Sequence, residues 1–70
     1  MKLRNLYNVG DHVLIINTHS TDFGKEGIII ERHCSYCKIQ LLKSDGTYEV
    51  NPQNNKPITI NHTYVQFKKI

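Results

Sequence analysis

Cys37-Lys38-Ile39-Gln40-Leu41, then Asp45-Gly46, then Tyr48-Glu49-Val50: this stretch decides the fold. Apolar and polar side chains alternate with a period of two, the pattern of a strand with one buried face, and Cys37, Ile39 and Leu41 share that face. Asp-Gly between apolar flanks is a strong hairpin signal. Here it predicts a two-residue turn of the I′ kind between Leu41-Leu42 and Tyr48-Glu49-Val50. Tyr48 and Val50 then share a face of the following strand.

Upstream the same punctuation repeats. Gly10-Asp11 leads into His12-Val13-Leu14-Ile15-Ile16, a first strand. Residues 17–25 are polar and read as a loop, and Gly27 opens Ile28-Ile29-Ile30, a β-branched second strand. Both runs are apolar on two faces, so either Val13 with Ile15 or Leu14 with Ile16 can face the core. A bend or bulge near Gly27 would account for the second run. Cys34-Ser35-Tyr36-Cys37 interrupts the apolar pattern and marks a hairpin tip.

Downstream, Asn51-Pro52-Gln53-Asn54-Asn55-Lys56-Pro57 predicts a loop, since proline lacks a ladder donor and asparagine favours turns. Ile58-Thr59-Ile60 predicts a short extended segment and Asn61-His62-Thr63-Tyr64 a 3₁₀ turn. Val65-Gln66-Phe67-Lys68-Lys69 completes five strands. No run of ten residues has helical periodicity. An open sheet of five short strands would leave sticky edges and an unburied face, so the expected architecture is all-β, a small five-stranded barrel.

Seventy residues make one domain, with residues 1–8 expected as a short N-terminal extension. So small a chain leaves no room for a second domain or a nucleotide-binding fold. Its apolar runs are far shorter than the ~20 residues that cross a bilayer, so no membrane partner is expected. Met1-Lys2-Leu3-Arg4-Asn5 has no apolar stretch after it, so no signal peptide is expected and the protein is assigned to the cytoplasm with reduced thiols. Ile, Lys, Asn and Tyr fill 27 of the 70 positions while Ala and Trp are absent, a bias toward AT-rich codons that suggests a bacterium or its phage. The net charge of +3 permits nucleic-acid binding without demanding it.

Val9-Gly10-Asp11-His12-Val13-Leu14-Ile15, continued by Phe23-Gly24-Lys25-Glu26-Gly27-Ile28-Ile29, resembles the KOW motif of SH3-like barrels in ribosomal and transcription-elongation proteins. The layout from Ile39-Gln40-Leu41 through Asp45-Gly46-Thr47-Tyr48 to Tyr64-Val65-Gln66-Phe67 is similar to that of stand-alone SH3-like modules. The resemblance covers residues 9–70 and departs in the long polar loop at 17–22. It implies an SH3-like barrel that binds nucleic acid or a ribonucleoprotein.

Four constellations bear on chemistry. Lys25, Arg32 and Lys38 flank the second and third strands with Tyr36 between them, together with Lys43, Lys68, Lys69, Lys2 and Arg4. Cations for phosphate and a ring for a base are what nucleic-acid binding requires, so Lys25, Arg32, Tyr36 and Lys38 are the expected site. Glu26, Glu31, Asp22 and Glu49 interleave with them, and an ordinary solvated surface would read the same way. Cys34 and Cys37 have the spacing of half a zinc site, but none of His12, His19, His33 and His62 stands at a ligand spacing, so no metal and no cofactor is expected. Asp11 and Asp45 are explained by turns, no nucleophile carries a base motif, and the expectation is a non-enzyme. The polar loops and Tyr7, Tyr36, Tyr48 and Tyr64 support an alternative: a monomeric protein-docking module, phage- or mobile-element-encoded, that binds a host protein.

Overall fold

The chain alternates between strands and tight connections: β1 (His12–Ile15), β2 (Glu26–Arg32), β3 (Tyr36–Leu42), β4 (Val50–Asn51), β5 (Lys56–Pro57), β6 (Thr59–Thr63) and β7 (Phe67–Lys69). The computed structural model describes residues 6–70, among which there is no α-helix. Five strands form one antiparallel sheet in the order β6-β3-β2-β1-β7, and β4 pairs with β5 in a separate ribbon. The protein is all-β, as the sequence predicts.

Consecutive strands β6 and β7 lie at opposite edges of the sheet, yet only residues 64–66 join them. In a flat sheet four strand spacings would separate those edges by roughly 19 Å. The four residue steps from Thr63 to Phe67 reach at most roughly 14 Å. The sheet must therefore curl. A single turn, with the Gln66 amide donating to the Thr63 carbonyl at 2.9 Å, carries the chain across.

The inner face of the curl settles the parity that the sequence leaves open. Val13 and Ile15 of β1 are fully buried, as are Ile29, Cys37, Ile39 and Phe67. Tyr7, Tyr64 and Phe67 pack ring against ring, with centroids 5.0–5.9 Å apart. Tyr7, which the sequence places in the N-terminal extension, thus belongs to the core. The expected trio Cys37, Ile39 and Leu41 does share the buried face.

Several local expectations are corrected. The irregularity of β2 lies between Ile29 and Glu31, not at Gly27, and it carries the exposed end of the strand round the curl. Gly27 instead sits where β2 and β3 approach too closely for a side chain: an added Cβ would meet Ile39 Cγ2 and lie 2.9 Å from the Gln40 carbonyl oxygen. The Asp45-Gly46 turn is not of the I′ kind, which needs positive φ at both central residues. Only Gly46 has it (φ 88°), in a turn closed by Gly46 N–H to Lys43 C=O (2.9 Å) and Lys43 N–H to Thr47 C=O (2.7 Å). Asp45 stabilises that turn by accepting from the Thr47 amide and hydroxyl.

After the turn, Tyr48 makes one bridge to Leu42 and remains half exposed; the chain then leaves β3. Residues 51–57 are not wholly loop, because Asn51 and Lys56 pair across a turn in which Asn55 takes φ 56°. Pro57 stands on this exposed two-residue ribbon, where a missing donor is tolerated. The expected 3₁₀ turn at 61–64 is not formed: β6 extends through Thr63 in register with β3, and a hydrogen-bonded turn at 64–66 follows it.

Candidate nucleic-acid interface

The connection from β2 to β3 is short. His33 N–H donates to Tyr36 C=O at 2.9 Å, leaving Cys34 and Ser35 as the tip. Residues paired across such a tip point to one side of the ladder. Tyr36 faces outward because Cys37, its neighbour, faces in. The His33 ring consequently stacks on the Tyr36 ring, centroids 4.5 Å apart and planes 19° from parallel. From beneath, the Tyr64 hydroxyl donates to His33 C=O at 2.6 Å and fixes the tip to the core.

Glu31 organises the charges beside this pair. One carboxylate oxygen lies 3.0 Å from His33 Nε2 and the other 3.6 Å from Lys38 Nζ, so Lys38 is held against the same platform. Arg32, paired with inward-facing Cys37, lies on the other side of the ladder, where its Nη1 donates to Tyr7 C=O at 2.7 Å and to Asn8 Oδ1 at 3.3 Å. Arg32 is thus a clamp on the N-terminal segment as well as a surface cation.

Arg32 stands at the same tip but on its core side, and of the four expected site residues Tyr36 and Lys38 come together here. Lys25 does not. It precedes β2, on the order of 20 Å along the strand from Arg32. There it spans an open cleft of about 470 Å³ to reach Glu49 at 3.3 Å, with Asp22 at 3.5 Å. The Glu49 carboxylate holds the Lys25 ammonium above its ordinary pKa, against a smaller opposing effect of burial. Of the other cations, Lys69 pairs with Asp11 at 3.2 Å. Lys43, Lys56 and Lys68 form no ion pair among the described residues, although Lys43 is near enough to Asp45 to help lower its pKa, and the three are dispersed along the chain. Lys2 and Arg4 lie outside the described residues.

The remaining constellations resolve differently. Cys37 is fully buried and Cys34 exposed, so the two sulfurs do not share an environment. Burial pushes the Cys37 thiol above its usual pKa, partly offset by a hydrogen bond with Tyr64. No three His, Cys, Asp or Glu side chains converge among the described residues. His12 pairs with Glu26 at 2.8 Å, and buried His62 contacts Gln66 Oε1 at 3.2 Å. The carboxylates of Asp11 and Asp45 both titrate below their usual range. The Asn8 amide is the main cause at Asp11, and the Thr47 hydroxyl at Asp45.

His33, a candidate metal ligand in the sequence, is instead the stacking partner of Tyr36. The signal was the two-residue tip, which sets positions 33 and 36 opposite each other. Glu31 was read as charge dilution rather than as the group that ties His33 to Lys38. Comparison with family models, curated proteins and solved structures finds no match to this chain.

Proposed function

We propose that this chain is a non-enzymatic binding module, an SH3-like barrel of the KOW type, that contacts nucleic acid or a ribonucleoprotein through the β2–β3 tip. The sheet order β6-β3-β2-β1-β7, with a one-turn crossing between its edges, supports the barrel. The observation that carries the function is the stack of exposed His33 on half-buried Tyr36, on the outer side of the tip with Lys38 beside it. A flat aromatic surface offers bases a stacking partner, and the Lys38 ammonium beside it offers a phosphate contact. Lys25 has no part in this surface.

An amide NMR titration with short RNA and with duplex DNA, at about 150 mM salt to suppress non-specific attraction, tests the reading. Shifts clustered on Arg32, His33, Tyr36 and Lys38 support it, and a silent spectrum overturns it. One observation favours protein docking as a second reading. Ile16, Phe23 and Val65 are 37, 55 and 71% exposed around the end of β1. Ile16 N–H bonds Gln66 C=O and Gly24 N–H bonds Ile15 C=O, which keeps all three at that end. Shifts confined to those residues, on adding a protein partner isolated after nuclease treatment, would mark it.

A further inference from the structure

The stacked pair does not stand alone on its face. In the β3–β6 register Tyr36 is opposite Thr63, Lys38 opposite Asn61, and Gln40 opposite Thr59. Cys37 and Ile39 face the core, and so do Ile60 and His62, which leaves Tyr36, Lys38, Gln40, Thr59, Asn61 and Thr63 on the outer side. Opposite residues on one face have Cβ atoms about 4.5–5.5 Å apart. Thr63 and Asn61 are therefore direct neighbours of Tyr36 and Lys38 of the candidate interface.

β6 is the edge strand, and its outward residues are uncharged and exposed. An asparagine amide beside an aromatic platform can hydrogen-bond the edge of a base splayed out of a stack. By contrast, gripping a duplex relies on many cations converging on phosphates. Here Lys38 is tied to Glu31 and Arg32 to Tyr7, and the lysines without carboxylate partners are dispersed. This face is equipped for stacking far better than for neutralising phosphates.

We infer that the ligand is a single strand rather than a duplex, laid along the β3–β6 ladder, with one base on the His33–Tyr36 platform and a neighbouring base read by Asn61. The inference rests on the nucleic-acid reading above and names its substrate class. Because Lys38 is the cation of the candidate site on this face, the logarithmic salt slope is about −0.7 or shallower.

Fluorescence anisotropy with labelled homopolymer single strands, DNA and RNA, and with a mixed-sequence duplex tests it. The single strands are expected to bind more tightly than the duplex at about 150 mM salt. Tyr36→Leu, which keeps apolar bulk, should weaken single-strand binding about tenfold, and Tyr36→Phe should not. Asn61→Ala should change the rank order of the homopolymers and leave the salt slope alone. Thermal unfolding of each variant confirms that it is folded. Duplex binding at equal or higher affinity overturns the single-strand inference while leaving the nucleic-acid reading intact. Wild-type binding by Tyr36→Leu overturns the platform, and an unchanged rank order in Asn61→Ala overturns the role of Asn61. Silence toward every oligonucleotide overturns the inference and the nucleic-acid reading together.

Discussion

Gly27 lies against Ile39 with no space between them for a methyl group: an added Cβ would collide with Ile39 Cγ2 and press on the Gln40 carbonyl oxygen. Ile39 is fully buried, so it cannot swing aside into solvent. Ordinarily alanine is favoured over glycine inside a strand by roughly 0.5–1 kcal/mol. Here overpacking reverses the sign, and Gly27→Ala should destabilise by about 1–3 kcal/mol. Urea unfolding checks it: a midpoint equal to or above wild type would mean that β2 and β3 are not this close.

Arg32 supplies the second test, because it serves the core as much as the surface. Its guanidinium holds the Tyr7 carbonyl at 2.7 Å, and Tyr7 in turn packs on Tyr64 and Phe67. A charge-assisted hydrogen bond contributes about 1.5–3 kcal/mol when sheltered, and this half-buried one belongs at the lower end. Arg32→Ala should lower Tm by several degrees, about 4–8 °C for each kcal/mol in a chain of this size. A variant that melts with wild type would show that the clamp does not hold the N-terminal segment.

Why some of this was legible in the sequence and some was not follows from where the information resides. Strand β3 was readable because its period is local: Cys37, Ile39 and Leu41 need only one buried face. The parity of Val13 and Ile15 was not, since both faces of β1 are apolar and only the curl of the whole sheet chooses between them. Asp45-Gly46 announced a turn but not its type, which depends on whether Asp45 itself goes to positive φ. For the site, residue types were visible and pairings were not. Lys25 and Lys38 are equally basic, but the carboxylates they meet, Glu49 and Glu31, are set by tertiary placement.

Asp11 gives a pH signature. Its carboxylate accepts the Asn8 amide at 2.8 Å and faces Lys69, which lowers its pKa in the folded state. A depressed folded pKa contributes stability that is fully present above the unfolded value of about 3.9 and is lost as pH falls through the folded value. Asp11→Asn should therefore be less stable than wild type at neutral pH, and the difference should close below about pH 4. Thermal melts at neutral and strongly acidic pH measure the gap; one that stays constant with pH would rule out this titration.

The two cysteines should separate chemically. Cys34 is exposed, whereas Cys37 is sealed in the core with its thiol held protonated by burial. The thiolate is the reactive form, so alkylation at mildly alkaline pH should label Cys34 quickly and Cys37 only on unfolding. Mass spectrometry of the native protein should find one adduct, on Cys34. With only one sulfur at the surface, a chelator should leave Tm unchanged. Rapid double labelling, or a Tm lowered by chelator, would mean that both sulfurs reach a common surface.

Charge reversal at Lys25 and at Lys38 should have opposite consequences, although the two residues look alike in the sequence. Lys38→Glu places a carboxylate beside Glu31 at the edge of the His33–Tyr36 platform. It should weaken nucleic-acid binding and reduce the magnitude of the logarithmic salt slope by about 0.7. Lys25→Glu faces Glu49 and Asp22 across the distant cleft. There the repulsion acts on folding, by up to about 1 kcal/mol for a surface site, and binding should be untouched. Isothermal titration at two salt concentrations, paired with a melt of each variant, separates the effects. Equal loss of affinity in both variants would move the interface off the β2–β3 tip; loss in Lys25→Glu alone would place it at the cleft.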